Sequence, residues 1–163
     1  MNALVLYDSK FGNTEQIAET IALAFQEAVS TRLAAIEDVP SLEAALVGVD
    51  ILVIGGPTHV HGISAPLRHM VESLGDESLK DVRTAAFDTR LHGMKVVTGS
   101  AAVRLGRLLR RRGAWLVVPP ASFIVEGREG PLQPGEVEHA NAWAAEVLRA
   151  VGIRVHEHAR VPV

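Results

Sequence analysis

The chain has 163 residues, the usual size of one compact domain, and 48% of them are apolar while 21% are charged. The formal net charge of −3 argues against nucleic acid as a partner, and no apolar run approaches the ~20 residues needed to cross a bilayer. Cysteine is absent, so disulfides, thiolate nucleophiles and cysteine-ligated metal centres are excluded, and redox chemistry would require a bound cofactor.

The N-terminus has neither the basic segment nor the cleavage site of a signal peptide. We therefore expect a cytoplasmic protein that binds neither nucleic acid nor membrane.

Short apolar or β-branched segments alternate with helical periodicity along the chain. The predicted strands are Ala3–Tyr7, Arg32–Ile36, Ile51–Ile54, Thr84–Phe87 and Trp115–Val118. Each is followed by a helical face, and these five faces contain Ile21, Leu46, Val71, Leu105 and Ala144 in turn.

Strands that alternate with helices pair in parallel through right-handed crossovers, and the helices cover both faces of the sheet. The predicted fold class is therefore α/β, a doubly wound, five-stranded parallel sheet. The domain is predicted to span residues 1–152, with 153–163 as a tail or an extra edge strand. Ligands of such sheets bind beyond the carboxyl ends of the strands, where the strand order reverses.

The segment SKFGNT connects the first strand to the first helix. Asn13 is predicted to cap this helix, with Gln16 completing a capping box. Gly12 would permit a left-handed backbone, and Ser9 and Thr14 would add hydroxyls beside the unpaired amides. Such a nest suits an anion, most naturally a terminal phosphate, although helix capping alone favours the same residue types.

Commoner phosphate-binding patterns are excluded. The chain contains neither G-x-x-x-x-G-K-[ST] nor G-x-G-x-x-G. A phospho-receiver domain would need an acidic residue at the end of the third strand, where Ile54, Gly55 and Gly56 stand instead.

Two motifs together indicate a family. SKFGNT after LVLYD, and GGPTHVHG after the third strand, resemble the flavodoxin-like FMN-binding proteins, such as flavodoxins and the flavodoxin-type domain of nitric oxide synthases. The resemblance covers residues 2–151 and implies the strand order 2-1-3-4-5, with FMN as the cofactor.

The resemblance also implies a role for three loops. The first would enclose the FMN phosphate with Ser9, Lys10, Phe11, Gly12, Asn13 and Thr14. The second would lie along one side of the isoalloxazine ring with Pro57, Thr58, His59, Val60, His61 and Gly62. The third, after strand 4, would approach the other side or the polar edge of the ring with Asp88, Thr89, Arg90 and Leu91, followed by His92 and Gly93.

The chain departs from electron-carrying flavodoxins, which usually stack large aromatics on the ring and are strongly acidic. Only 4% of its residues are aromatic, and its loops offer His59, His61 and Arg90. Weaker stacking would either lower the affinity for FMN or leave the ring more open to a substrate. We hypothesise that Arg90 or a protonated histidine faces the N1 and carbonyl edge of the ring, which would make full reduction easier than in an acidic flavodoxin.

Other sites are less favoured. His59 and His61 have the spacing of neighbouring metal ligands, but no third ligand is close in sequence, so neither a metal site nor a catalytic residue is predicted. Arg104, Arg107 and the run 110–112 form either a solvated helix face or a docking patch for an acidic partner. Segment 119–135 is longer than most loops, and such segments are usually functional or contain structure of their own.

Three functional classes remain open. The first is an FMN protein that carries electrons between a reductase and an acceptor, with redox proteins as partners. The second is an NAD(P)H-dependent reductase of a quinone-like substrate, and the third is a flavin-free binding module. The first is preferred because no residue pattern marks a nicotinamide site.

Overall fold

The computed structural model describes residues 1–58, 62–92 and 100–154. The strands are β1 Asn2–Tyr7, β2 Ser30–Ala35, β3 Ile51–Pro57, β4 Arg83–Leu91, β5 Trp115–Leu116 and β6 Ala121–Val125. The helices are α1 Asn13–Gln26, α2 Leu42–Ala45, α3 Ala65–Glu72, α4 Ala101–Arg110 and α5 Glu136–Ala150, and a short 3₁₀ turn at Ile36–Asp38 precedes α2.

The sheet is parallel, with the order β2-β1-β3-β4-β5, which confirms the predicted class and strand order. From β1 the chain moves outward to β2 and then returns past β1 to β3. The order therefore reverses between β1 and β3, and the carboxyl ends of these two strands border the same edge of the sheet.

The fifth position of the sheet differs from the prediction. β5 pairs with the start of β4, from Arg83 opposite Trp115, and β6 pairs with its end, from Phe87 opposite Ala121. Pro119 and Pro120 stand between the two segments, and proline has no backbone N–H to donate to a neighbouring strand. The predicted fifth strand is thus shorter than expected, and part of the predicted long loop is a sixth strand.

The core consists of two apolar layers, one on each side of the sheet. One includes Val5 and Phe87 against α1 and α5, and the other includes Leu6 and Ile54 against α3 and α4. Every residue of Ile51–Ile54 is fully buried, as expected of a strand covered on both faces.

A glycine permits the packing of the largest core ring. A side chain at Gly55 would place its Cβ only 2.5 Å from the ring of Phe87 on the neighbouring strand. The absence of this Cβ leaves the space that the ring of Phe87 occupies.

The second helix and the starts of α3 and α4 bear on the helical predictions. α2 is a single turn, so the predicted second helix is shorter than its apolar spacing suggested. Ser64 and Ser100 cap α3 and α4, because their hydroxyl oxygens accept hydrogen bonds from the amides of Leu67 and Val103, both at 3.3 Å.

Residues 153 and 154 follow α5 without regular structure, and the predicted edge strand or tail otherwise lies outside the described residues. None of the helices described is long and apolar enough to cross a bilayer.

Candidate functional site

The first loop lies at the reversal point and ends in a glycine cap. Gly12 is the N-cap of α1, with φ 87°, a left-handed conformation. The predicted capping box at Asn13 is therefore wrong, because glycine enters this conformation without strain and moves the cap back by one residue. Ser9 contributes to the cap, since its Oγ accepts hydrogen bonds from the amides of Gly12 at 3.1 Å and Glu15 at 3.4 Å.

The first turn of α1 retains free donors. Among the hydrogen bonds of the described residues, none uses the amide of Asn13 or Thr14. The hydroxyl hydrogen of Ser9 is also uncommitted, because this side chain acts as an acceptor in both of its bonds. Together with the partial positive charge of the helix start, these donors form a site for an anion.

Lys10 and Phe11 form the outer part of this loop. Phe11 is 43% exposed, and the Nζ of Lys10 lies 5.3 Å from the centre of its ring. This is a cation–π contact, which directs the ammonium group onto the ring. The donors inside the loop are consequently amides and hydroxyls.

The carboxyl ends of β3 and β4 meet at the start of α4, whose amides are fully used. The amides of Ala101, Ala102 and Val103 donate to Thr58 Oγ1, Asp88 Oδ2 and Ser100 Oγ, at 3.0, 3.0 and 3.3 Å. The hydroxyls of Thr58 and Ser100 in turn donate to Asp88 Oδ2, each at 2.7 Å. Protein side chains thus satisfy the first turn of α4, whereas that of α1 is left open to a ligand.

The predicted third loop is in fact strand. Asp88, Thr89, Arg90 and Leu91 belong to β4, where they pair with residues of β6 in a parallel register. Asp88, Thr89 and Arg90 are buried, with exposures of 0%, 4% and 8%. The sequence predicted a loop because aspartate and arginine are poor strand formers, and their pairing with β6 depends on residues more than 30 positions away.

Thr89 connects this strand to the first loop. Its Oγ1 lies 2.8 Å from the Oγ1 of Thr14 in a buried hydrogen bond. Backbone pairing also continues beyond β3, since the amide of Thr58 donates to the carbonyl of Thr89 at 2.8 Å.

The second loop is described only at its two ends. Pro57 ends β3, and Gly62 has φ +92° with the side chain of Arg104 packed against it. The predicted site residues His59, Val60 and His61 lie outside the described residues, as does Gly93 of the third loop. In the described parts of the chain, no cluster of three histidine, aspartate or glutamate side chains could hold a metal.

The segment after β6 folds back as a short hairpin. The amides of Glu126 and Gln133 donate to the carbonyls of Pro131 and Ile124, both at 2.8 Å. The tip of the hairpin reaches the first loop, because the Nδ2 of Asn13 donates to the carbonyl of Glu129 at 3.1 Å. No sequence pattern indicated this contact, although the length of the segment had suggested a function.

Tyr7, at the end of β1, lies beside the first loop and was not singled out from the sequence. Its hydroxyl donates to Glu15 Oε1 at 2.8 Å. Burial, the hydrogen bond with Glu15 and the charge of Glu15 raise the pKa of Tyr7 to about 12. The sequence signal for this hydrogen bond was a tyrosine just before the loop and a glutamate in the first turn of the following helix.

The fold and the site together define a class, the doubly wound α/β proteins with an anion site where the strand order reverses. The model of a family described as flavodoxin domain matches residues 4–110, so the chain belongs to the flavodoxin domain family.

Solved structures show the same fold. Oxidised flavodoxin 1 from Bacillus cereus is similar with a TM-score of 0.75 and 22% identity, over 91% of this chain and 98% of that one. A Streptococcus pneumoniae flavodoxin has a TM-score of 0.73 and 15% identity, over 91% and 99%. Rubredoxin oxygen:oxidoreductase from Desulfovibrio gigas has a TM-score of 0.69 and 17% identity, over 92% of this chain but 36% of that one. No curated protein matches.

Proposed function

We propose that this protein binds FMN and carries electrons between a reductase and an acceptor protein. The observation behind the proposal is the open first turn of α1, where the amides of Asn13 and Thr14 and the hydroxyl of Ser9 are available at the strand reversal. A terminal phosphate dianion is the ligand that such donors bind best. Membership of the flavodoxin domain family supports FMN as the mononucleotide.

The donor set fits this cofactor. The loop Ser9–Thr14 would hold the phosphate, while the ends of β3 and β4, at Thr58 and Thr89–Leu91, would border the ring. When bound, FMN supplies redox chemistry that no side chain of a cysteine-free chain offers. The residues of this chain bind and orient it.

The network around Asp88 would keep this border rigid. Thr58, Asp88 and Ser100 join β3, β4 and α4 by hydrogen bonds of 2.7 Å, so neighbouring strand ends are held in fixed positions. A rigid border matters for electron transfer because the cofactor then needs no rearrangement between its redox states.

One observation favours a second candidate, direct reduction by a nicotinamide cofactor. Phe11 is the only phenylalanine, tyrosine or tryptophan of the three predicted loops, and residues 59–61 and 93–99 contain none of these three residue types. A ring with so few large aromatic side chains around it would be accessible to a substrate, as a reductase of quinone-like compounds requires.

Titration of the apoprotein with FMN tests the proposal. We expect FMN fluorescence to be quenched with saturation, and riboflavin, which lacks the phosphate, to bind at least about tenfold more weakly. Ser9→Ala should weaken FMN binding, whereas Thr20→Ala is the matched control, because the Thr20 hydroxyl bonds to the carbonyl of Gln16 elsewhere on α1.

The outcomes separate the candidates. Folded protein that takes up no FMN would refute the proposal and leave only the flavin-free binding module. Rapid bleaching of the bound flavin by NADPH, without an added reductase, would favour the nicotinamide-dependent enzyme over the electron carrier.

A further inference from the structure

Arg90 is a buried cation that forms no ion pair within the described part of the chain. Its exposure is 8%, and its Nε is buried without a hydrogen-bond partner. The only bond of its guanidinium in the described part of the chain is a long contact of 3.5 Å from Nη1 to the carbonyl of Leu91. No ion pair among the described residues includes it.

The neighbouring acid, Asp88, is buried as well but forms no ion pair with Arg90, and its Oδ1 has no hydrogen-bond partner. Asp88 lies two positions earlier and therefore on the same face of β4. Its Oδ2 already accepts three hydrogen bonds, from Thr58, Ser100 and the amide of Ala102, and it forms no ion pair with Arg90. Because arginine cannot be deprotonated in a protein, a buried guanidinium is costly unless an anion pairs with it.

The adjoining segments contain no acid that could act as the anion. Residues 59–61 and 93–99 contain neither aspartate nor glutamate. Among the side chains outside the described residues, only that of Glu157 is acidic. The expected anion is therefore a ligand that the ends of β3 and β4 receive.

We propose that reduced FMN is the anion that pairs with Arg90, an inference that rests on the FMN binding proposed above. Oxidised FMN that accepts two electrons and one proton gains one net negative charge, which is delocalised over the ring. A planar, delocalised guanidinium suits a planar, delocalised anion. Arg90 would thus bind the reduced cofactor more tightly than the oxidised one, and so favour full reduction.

The test compares the affinities of the two redox states in Arg90→Gln and in a charge-matched control. The affinity for oxidised FMN is measured by direct titration. The affinity for reduced FMN is derived from the two-electron midpoint potential of the bound cofactor, which is measured anaerobically against a reference dye with dithionite as the reductant. Arg90→Gln should lower the preference for reduced FMN by about tenfold or more. Arg107→Gln, which removes the same charge from an exposed position on α4, should change it little.

Two further variants show whether charge is the cause. Arg90→Lys keeps the positive charge and should retain most of the preference. Arg90→Met keeps the aliphatic volume without the charge, so it should behave like Arg90→Gln and also replaces that variant if glutamine prevents folding. Apoprotein with either neutral residue should unfold at the same denaturant concentration as the wild type or at a higher one, because an unpaired buried charge is removed.

Several results would overturn the inference. An unchanged preference in both neutral variants would show that Arg90 does not pair with the reduced cofactor. An equal loss of affinity for both redox states, or a loss in Arg90→Lys as large as in Arg90→Gln, would assign Arg90 a structural role. Failure of the wild type to take up FMN would instead refute the proposed function, so the two failures are distinguishable.

Discussion

Thr14 and Thr89 share a buried hydrogen bond, although they stand 75 positions apart in the chain. The bond joins the first turn of α1 to the end of β4, with 2.8 Å between the hydroxyl oxygens. The loop that would hold the phosphate and the strand that would border the ring are therefore coupled by one side-chain contact.

Thr89→Val should lower the free energy of unfolding by about 1–2 kcal/mol, because it leaves the buried hydroxyl of Thr14 without its partner. Urea denaturation measures the loss. The double variant Thr14→Val with Thr89→Val should be nearly as stable as the wild type, since removing both polar groups removes the penalty. A double variant that loses the sum of both single effects would show that the bond contributes no coupling.

Asp88→Asn should destabilise the protein by about 1 kcal/mol. Asparagine can still accept hydrogen bonds through its carbonyl oxygen, but it loses the negative charge that favours the positive start of α4. Thermal unfolding measures this effect. Asp81→Asn removes the same charge from an exposed position and should leave the stability nearly unchanged. Equal behaviour of both variants would contradict the capping role of Asp88.

Local patterns predicted the parts of the molecule that local forces determine. The parallel, doubly wound sheet follows from the alternation of strands and helices, and the burial of Ile51–Ile54 from its unbroken apolar sequence, whereas the strand order came from the family resemblance. Ser64 and Ser100 were predictable as caps because a hydroxyl before a helical run satisfies amides within three residues.

Contacts between distant segments could not be predicted in the same way. The capping of α1 by Gly12 depends on its backbone conformation, and the same sequence allowed a cap at Asn13. The side chain of Asn13 instead donates a hydrogen bond to the carbonyl of Glu129, 116 positions later. A contact across this distance leaves no periodic pattern in the sequence. Asp88 and Arg90 appeared to follow the strand because their burial in β4 depends on pairing with β6. The role of the predicted FMN ligands stays a prediction.

Gly130→Ala should destabilise the hairpin that follows β6. Gly130 has φ +106°, a conformation that costs an alanine about 1 kcal/mol, and an added Cβ would lie 2.8 Å from the Nδ2 of Asn13. Displacing Asn13 should also weaken FMN binding, because its amide belongs to the first turn of α1. Urea denaturation and FMN titration measure the two effects.

Gly135→Ala is the matched control for this variant. Gly135 has φ +91°, but no atom lies within 4 Å of an added Cβ, so its substitution should reveal the backbone strain alone. Asn13→Ala combined with Gly130→Ala should recover the part of the stability loss that comes from the steric contact. Equal losses of stability and FMN affinity in Gly130→Ala and Gly135→Ala would show that the hairpin does not act on the first loop.

Tyr7 should titrate far above the ordinary tyrosine pKa of 10.0, with a pKa of about 12, because it is partly buried and donates to Glu15. It is the only tyrosine of the chain, so tyrosinate absorbance follows it alone. Since the folded state holds this proton more tightly than the unfolded state, the resulting stability is fully present below pH 10 and is lost as the pH rises towards 12.

Tyr7→Phe should remove this part of the alkaline decline in stability. Glu15→Gln should lower the pKa without restoring the ordinary value, because burial is the largest cause. A wild-type titration near 10 would contradict the hydrogen bond between Tyr7 and Glu15.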